Sequence, residues 1–442
     1  MRDLLMLGVL LALLPMALRS SFVAFLVWVY ATVLSPHLYL YGFMQDFRFV
    51  FVFAAIALVG LWLEKGHNRG GFLAEPSSVL LILFVLHGVM SAIFSMQPNP
   101  AVWVRLDIFA KGMVLAMVAP LFLTSRWRIH VMLIVLAAGL GFHGVLDGLK
   151  MISSAGSHNV TGIPTSSLSD NNLYALGMVM LLPLLLYLAR YSANQLAKWA
   201  ALIAFGLCVM TVLGSNSRGG FLALAILGVW YWLTSPRKLL STVVLAIVAF
   251  GVVQLAPERW FERIDTIKNA AEDESFLGRV AAWKVSLNIA NDNPIFGGGF
   301  HAVERQWIWD QYRTIPNLIN IDIPEMTAKA AHSNYFQVLG DLGYIGLILF
   351  LSVMASAFVM RWRIKANAAK SRGDFAWAVD LATAINLSLV AFMAGGAGVS
   401  LAYFELVYLF IMTLLAINRL ILSETVRLKA VVPQRGRAAS HV

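Results

Sequence analysis

The chain has 442 residues, of which 60% are hydrophobic, 12% aromatic and only 13% charged, with a formal net charge of +10 and a mean hydropathy of +0.76. A soluble domain carries roughly a quarter of its residues as charge, so this chain lacks the polar surface to cover a water-soluble fold, and the bilayer must act as much of its solvent. The basic excess lies in short loops and at the C-terminal end, where the positive-inside rule accounts for it and implies no nucleic acid.

In chain order, Met1 to Leu18 begins with Met1-Arg2 and has a short apolar core. Met16-Ala17-Leu18-Arg19 does not fit a small-residue cleavage site, so this segment reads as a retained helix. Further apolar runs cover 20–34, 47–63, 77–95, 104–123, 129–150, 171–189, 197–213, 219–234, 239–255, 335–360, 378–397 and 401–421. Several are near or below the roughly 17–25 residues of a spanning helix. Short basic loops at Lys65 and Arg69, Arg126 and Arg128, Arg237 and Lys238, Arg361 to Arg372, and Arg427 to Arg437 give a consistent alternation when all are cytoplasmic. Thirteen full crossings would then put Met1 outside despite Arg2. The first two runs, both short and separated by Arg19, are therefore expected to cross once together, giving about twelve crossings with both ends cytoplasmic. The lone Cys208 makes no internal disulfide and no metal site.

Pro257 to Lys329 carries eight Lys/Arg and eleven Asp/Glu, which is not the signature of a cytoplasmic loop. The expected fold is all-α: one membrane domain over 1–442 built as a polytopic helix bundle, with a large, mostly helical external loop over 256–333 and a cytoplasmic basic tail over 422–442. Within the loop, Trp260, Phe261, Ile264 and Ile267, and then Val280, Trp283 and Leu287, recur at helical spacing. Those stripes can cap the bundle or lie among headgroups.

Ionisable residues near membrane depth are costly and are therefore the default functional candidates. Asp107 and Lys111 read as a structural ion pair. His143, Asp147 and Lys150 share a helix face near the external end of a run, where they contact an acceptor or neutralise one another. Asp170 precedes a run as an N-cap or a polar contact to sugar. Ser215-Asn216-Ser217-Arg218-Gly219-Gly220 joins two runs at the external face. Arg218 there either snorkels to headgroups or, with Ser217, Gly219 and the bare amides of a helix start, cradles a diphosphate. Gly278-Arg279 and Trp283 share a helix face, so Trp283 can stack under the guanidinium or under a sugar ring. Asn293-Pro294-Ile295-Phe296-Gly297-Gly298-Gly299-Phe300 then forms a tight turn, followed by His301. His332-Ser333-Asn334-Tyr335 stands where the loop re-enters the membrane. His332 is either a neutral base or an interfacial histidine bonded to a carbonyl. Glu272, Asp273 and Glu274 read as a solvated acidic turn. No GxxxxGK[ST] phosphate loop and no HExxH motif occurs, so neither ATP nor a metal is indicated.

Taken together, SxSRGG opening a run, GR-x3-W followed by NPIFGxGF, and H-S-N-Y before L-G-x-L-G-x-x-G resemble the O-antigen ligase and polymerase superfamily over roughly residues 200–350. Ser35-Pro36-His37 and Tyr41-Gly42-Phe43 make the N-terminal part similar to the branch of exosortase-associated O-glycosylation ligases. The resemblance implies en bloc transfer of a glycan from undecaprenyl diphosphate to a lipid A-core sugar at the periplasmic face of the inner membrane. It implies no cofactor, and membrane lipids as surroundings. It raises Arg218, Arg279 and His332 to site residues, with Ser217 and Gly219 at the diphosphate and Trp283, Asn334, Tyr335, Asp170, His143 and Asp147 as sugar or acceptor contacts. An O-antigen polymerase or a protein O-oligosaccharyltransferase would use the same donor. A transporter of the lipid-linked glycan would need a midplane site and tends to show internal repeats, and the sequence has neither.

Overall fold

The computed structural model describes residues 1–64, 71–96, 100–164, 166–235, 274–371 and 373–438, with isolated positions between 238 and 246. Among them are fourteen α-helices: α1 (Arg2–Arg19), α2 (Ser21–Leu34), α3 (Phe49–Leu63), α4 (Pro76–Ile93), α5 (Pro100–Phe122), α6 (Arg126–Ser153), α7 (Asn171–Arg190), α8 (Gln195–Gly214), α9 (Arg218–Thr234), α10 (Glu274–Asp292), α11 (Gln306–Tyr312), α12 (Asn334–Lys370), α13 (Ala376–Gly395) and α14 (Glu405–Ala438). Seven of these are long and apolar enough to cross a membrane, and α2, α3 and α9 are shorter apolar helices. The described residues thus form an all-helical, multi-pass membrane protein. The run expected over 239–255, the stripe Trp260, Phe261, Ile264 and Ile267, and Glu272 with Asp273 lie outside the described residues. Of the tail expected over 422–442, the part to Ala438 continues α14 as helix.

The two N-terminal runs form two antiparallel helices, a hairpin. Ser20 is extended (φ −144°, ψ 112°) and ends α1, and α2 then runs back alongside it. Asp3 at the start of α1 accepts from the Tyr41 and Met44 amides beyond the end of α2, at 3.4 and 3.3 Å. Arg2 lies 5.2 Å from the Tyr41 ring centroid. At the other end of α2, Phe22 packs on Trp127 and sits under Arg128. The result is a hairpin with Arg2 and residues 41–44 together. Arg19 was a misleading separator, because a single extended residue is enough to reverse the chain.

α12 is two helices joined at Gly343, which takes φ 69°, ψ −171°. A break inside a helix strands carbonyls that need partners. They find them in the glycine turn and in α4. Gly298 donates to the Gly340 carbonyl (2.8 Å) and Gly299 to that of Asp341 (2.9 Å), while Tyr344 donates back to Pro294 (2.9 Å). Ser91 donates to Asp341 O (2.8 Å) and His87 Nε2 to Leu342 O (2.9 Å). A Cβ at Gly297 would lie 2.5 Å from the Gly343 amide nitrogen, so the close approach admits only glycine there.

α10 packs on the first half of α12 and on α11 through a small core of Ala281, Ala282, Val285 and Ile289 against Ala302, Val303, Ile308, Trp309 and Tyr312. The buried stripe therefore falls beside the expected Val280, Trp283, Leu287 face, whose members are half-buried.

Candidate active site

The helix ends that carry the polar motifs converge on one end of the bundle. Three cavities lie there in a row. The first, about 700 Å³, is lined by Arg279, Lys329 and His332, by the carboxylates Asp322 and Glu325, and by apolar Leu277, Ile323 and Met326. The second, about 230 Å³, is lined by Arg105, His301, Glu304, His332 and Asp170, with Phe300 and Tyr403 among its aromatic walls. The third, about 340 Å³, is lined by Asp170, Asn171, Ser215 and Asn216. His332 is the wall between the first and second, and Asp170 the wall between the second and third.

His332 has a left-handed backbone (φ 44°), an uncommon conformation for a non-glycine residue that tends to mark functional sites. Its neighbours hold it there. Trp283 donates its indole N–H to the Ala331 carbonyl (2.7 Å) and stacks on Phe336, with centroids 5.1 Å apart and planes at 7°. Ser333 caps α12, and the Asn334 amide donates to Gly396 O (2.7 Å). Burial, then the nearby Arg279 charge, hold the His332 imidazole below its ordinary value, against the opposing pull of Asp170 and Glu304. A neutral ring at pH 7 follows.

Arg218 opens α9 with an exposed side chain. Ser217 is its N-cap, accepting from the Gly220 amide at 3.1 Å. The turn before it is tied to α7 by Asn171, which donates to Ser215 O at 2.7 Å. A Cβ on Gly219 would lie 3.4 Å from the Gly395 carbonyl, and one on Gly220 would lie 2.7 Å from Ala175 Cβ. These glycines serve the approach of α9 to α13 and α7. Asp170 accepts from the Asn172 and Leu173 amides (2.7 and 2.9 Å) as the N-cap of α7 and still lines two cavities.

Several expected contacts are committed to protein partners. Asn334 is buried and its Oδ1 accepts from the Leu401 amide at 2.6 Å, while its Nδ2 has no hydrogen-bond partner among the described residues. Tyr335 donates to Met393 O at 2.7 Å. His143 donates through Nε2 to Leu34 O and accepts from Tyr39, both at 3.0 Å, pinning the N-terminal hairpin to α6. Asp147 pairs with Lys150 (2.9 Å), His158 (3.2 Å) and Tyr174 (3.1 Å). Trp283, Asn334 and Tyr335 thus shape the site, whereas His143 and Asp147 knit the bundle. Asp107 and Lys111 form the ion pair expected of them.

Arg105 and Glu304 went unnoticed in sequence. Glu304 stands three residues after His301, a spacing that was available in the sequence but not read as a pair. A basic residue at the start of the 104–123 run was the one available signal for Arg105.

Residues 203–351 match the O-antigen ligase family, and residues 1–193 match a family of unknown function. No curated protein matches the chain. The matched segment 203–351, about a third of the chain, takes in Arg218, Arg279, the glycine turn, His332 and the broken helix, and over that segment the chain is similar to the O-antigen ligase family.

Proposed function

We propose that the protein is an O-antigen ligase of the bacterial inner membrane, moving a glycan en bloc from undecaprenyl diphosphate to a lipid A-core sugar at the periplasmic face. The observation that carries this reading is His332, shared by a large cavity that holds Arg279 and Lys329 with Asp322 and Glu325 and a smaller one that holds Arg105 and His301 with Glu304 and Asp170. A glycosyl diphosphate is already activated, so catalysis is chiefly stabilisation of the departing charge. Arg279 and Arg218 would hold the diphosphate, with the first-turn amides of α9 beside Arg218. His332 takes the proton of the acceptor hydroxyl as its oxygen bonds the anomeric carbon. The carbon–diphosphate bond breaks on the opposite face, which inverts the anomeric centre, and undecaprenyl diphosphate leaves. No metal or nucleotide is required by this scheme.

The test is transfer in liposomes by purified protein given undecaprenyl-diphosphate-linked glycan and lipid A-core, without ATP and with a chelator. Wild type should yield glycan-shifted lipid A. His332→Ala, Arg218→Ala and Arg279→Ala should insert normally and lose about 10²–10³ in rate. Arg218→Lys should also be impaired, since an ammonium lacks the bidentate contact. Near-normal transfer by all three alanine variants would sink the site. Chain growth on lipid-linked repeats, or glycan on a protein, would move the assignment to polymerase or protein glycosylation.

A further inference from the structure

We propose that the 230 Å³ cavity is the subsite for the accepting sugar ring, with His301 contacting that sugar and Glu304 as the positioning residue that orients His301; this rests on the ligase reading above. His301 follows the glycine turn and has a left-handed backbone, φ 58°. Its Nδ1 lies 2.8 Å from Glu304 Oε1. A carboxylate only accepts, so the proton sits on Nδ1 and Nε2 is the ring atom left for a ligand. The segment carrying the pair is fixed: Gly299 and Ala302 donate to Asp341 O and Oδ1, at 2.9 and 3.3 Å, and Arg305 donates to Phe300 O at 3.2 Å.

The chemistry of the walls selects the occupant. Glu304 and Asp170 oppose Arg105 and His301 around a small volume, so the charges balance and a neutral ligand suits it. The cavity across His332 also carries two carboxylates, Asp322 and Glu325, beside Arg279 and Lys329, but at about 700 Å³ against about 230 Å³ it is far the larger, so the smaller, aromatic-walled cavity is the one sized for a single sugar ring. Phe109, Phe300 and Tyr403 pack on one another with centroids 5.1–5.6 Å apart, which gives an apolar wall for the C–H face of a ring. Ser166, Ser169 and Gln337 add polar groups. Ser400 Oγ, on the same wall, is buried with no hydrogen-bond partner among the described residues. A buried hydroxyl without a partner is costly and points to a ligand that bonds it. A ring held here presents its hydroxyl to His332, the residue shared with the Arg279 cavity.

Initial rates of the full-length protein in liposomes, with donor and lipid A-core varied in turn, separate the two subsites. His301→Gln and Glu304→Gln should raise the acceptor KM about tenfold or more while the donor KM stays within about twofold, as loss of a charge-assisted hydrogen bond to one substrate predicts. Glu304→Asp should recover part of the loss. Ser400→Ala removes only one hydroxyl from the wall, carries little risk to folding, and should raise the acceptor KM about threefold to tenfold. Equal rises in both KM values, or a fall in kcat with the acceptor KM unchanged, would overturn the assignment. An unchanged acceptor KM in Ser400→Ala and Glu304→Gln together would do the same. Wild type that glycosylates no lipid A-core at all would instead bring down the ligase reading itself.

Discussion

Two histidines on one cavity face opposite surroundings. Burial and Arg279 hold His332 below its ordinary value. Burial also works against charge on His301, but the hydrogen bond and charge of Glu304, helped by Asp341, outweigh it and raise His301. Separated values of this kind divide base from charged partner. A base with a lowered value stays deprotonated as the pH falls, so the acid limb of kcat should lie below about 6.5, the unperturbed value. Lys329 adds to the lowering of His332. Lys329→Met should therefore move that limb to higher pH, read from kcat against pH at saturating substrates; a limb that stays put would remove His332 as the titrating base. At this scale the sequence was legible where a residue sat in a patterned motif: Arg218 at a helix start, Arg279 after glycine, His332 at re-entry. It was silent on Arg105, whose cavity neighbours are distant in sequence, on Glu304, whose i,i+3 spacing to His301 carries no meaning until both line one cavity, and on Trp283, whose hydrogen bond to Ala331 exists only once α10 packs on α12.

At the scale of elements, the break in α12 organises the site. Gly299 has φ 89°, and a Cβ there would sit 2.3 Å from Ser95 Oγ. Gly299→Ala should cost on the order of 1–3 kcal/mol, seen as a lower unfolding temperature in detergent together with reduced transfer. Unchanged stability would mean the turn tolerates a side chain and does not need its glycine. Trp283→Phe keeps a ring on Phe336 but loses the N–H to Ala331, so it should cost about 1 kcal/mol and lower kcat more than it raises the donor KM. Among the described residues, helix existence was legible from hydropathy, because apolar runs admit little else in a bilayer. The break was not, because Gly343 sits among other glycines in an apolar run and only the glycine turn docked on it shows which one departs from helix. The N-terminal hairpin was missed for a related reason: run length counts residues and says nothing about whether an extended residue such as Ser20 reverses the chain.

For the whole molecule, the convergence of motifs on one end matches the alternation drawn from basic loops, while the N-terminal hairpin changes where the chain starts. Cys208, the sole cysteine, is buried, which suits single-cysteine labelling. Arg2→Cys and Tyr41→Cys should be labelled from the same side of the membrane, and Arg19→Cys together with Lys370→Cys from the other. Labelling of position 2 with position 370 would restore the single crossing. The docking of the glycine turn on the broken helix has a mechanical consequence. Four hydrogen bonds join residues 294–302 to α12, and lifting the roof of the cavities would leave their groups unpaired, at about 1–3 kcal/mol for each group stranded. Roof and bundle therefore turn over as one block. On the ligase reading proposed above, two lipid-anchored substrates would then enter sideways from the bilayer, and the rate of refilling would depend on crowding in the plane of the membrane more than on a hinge.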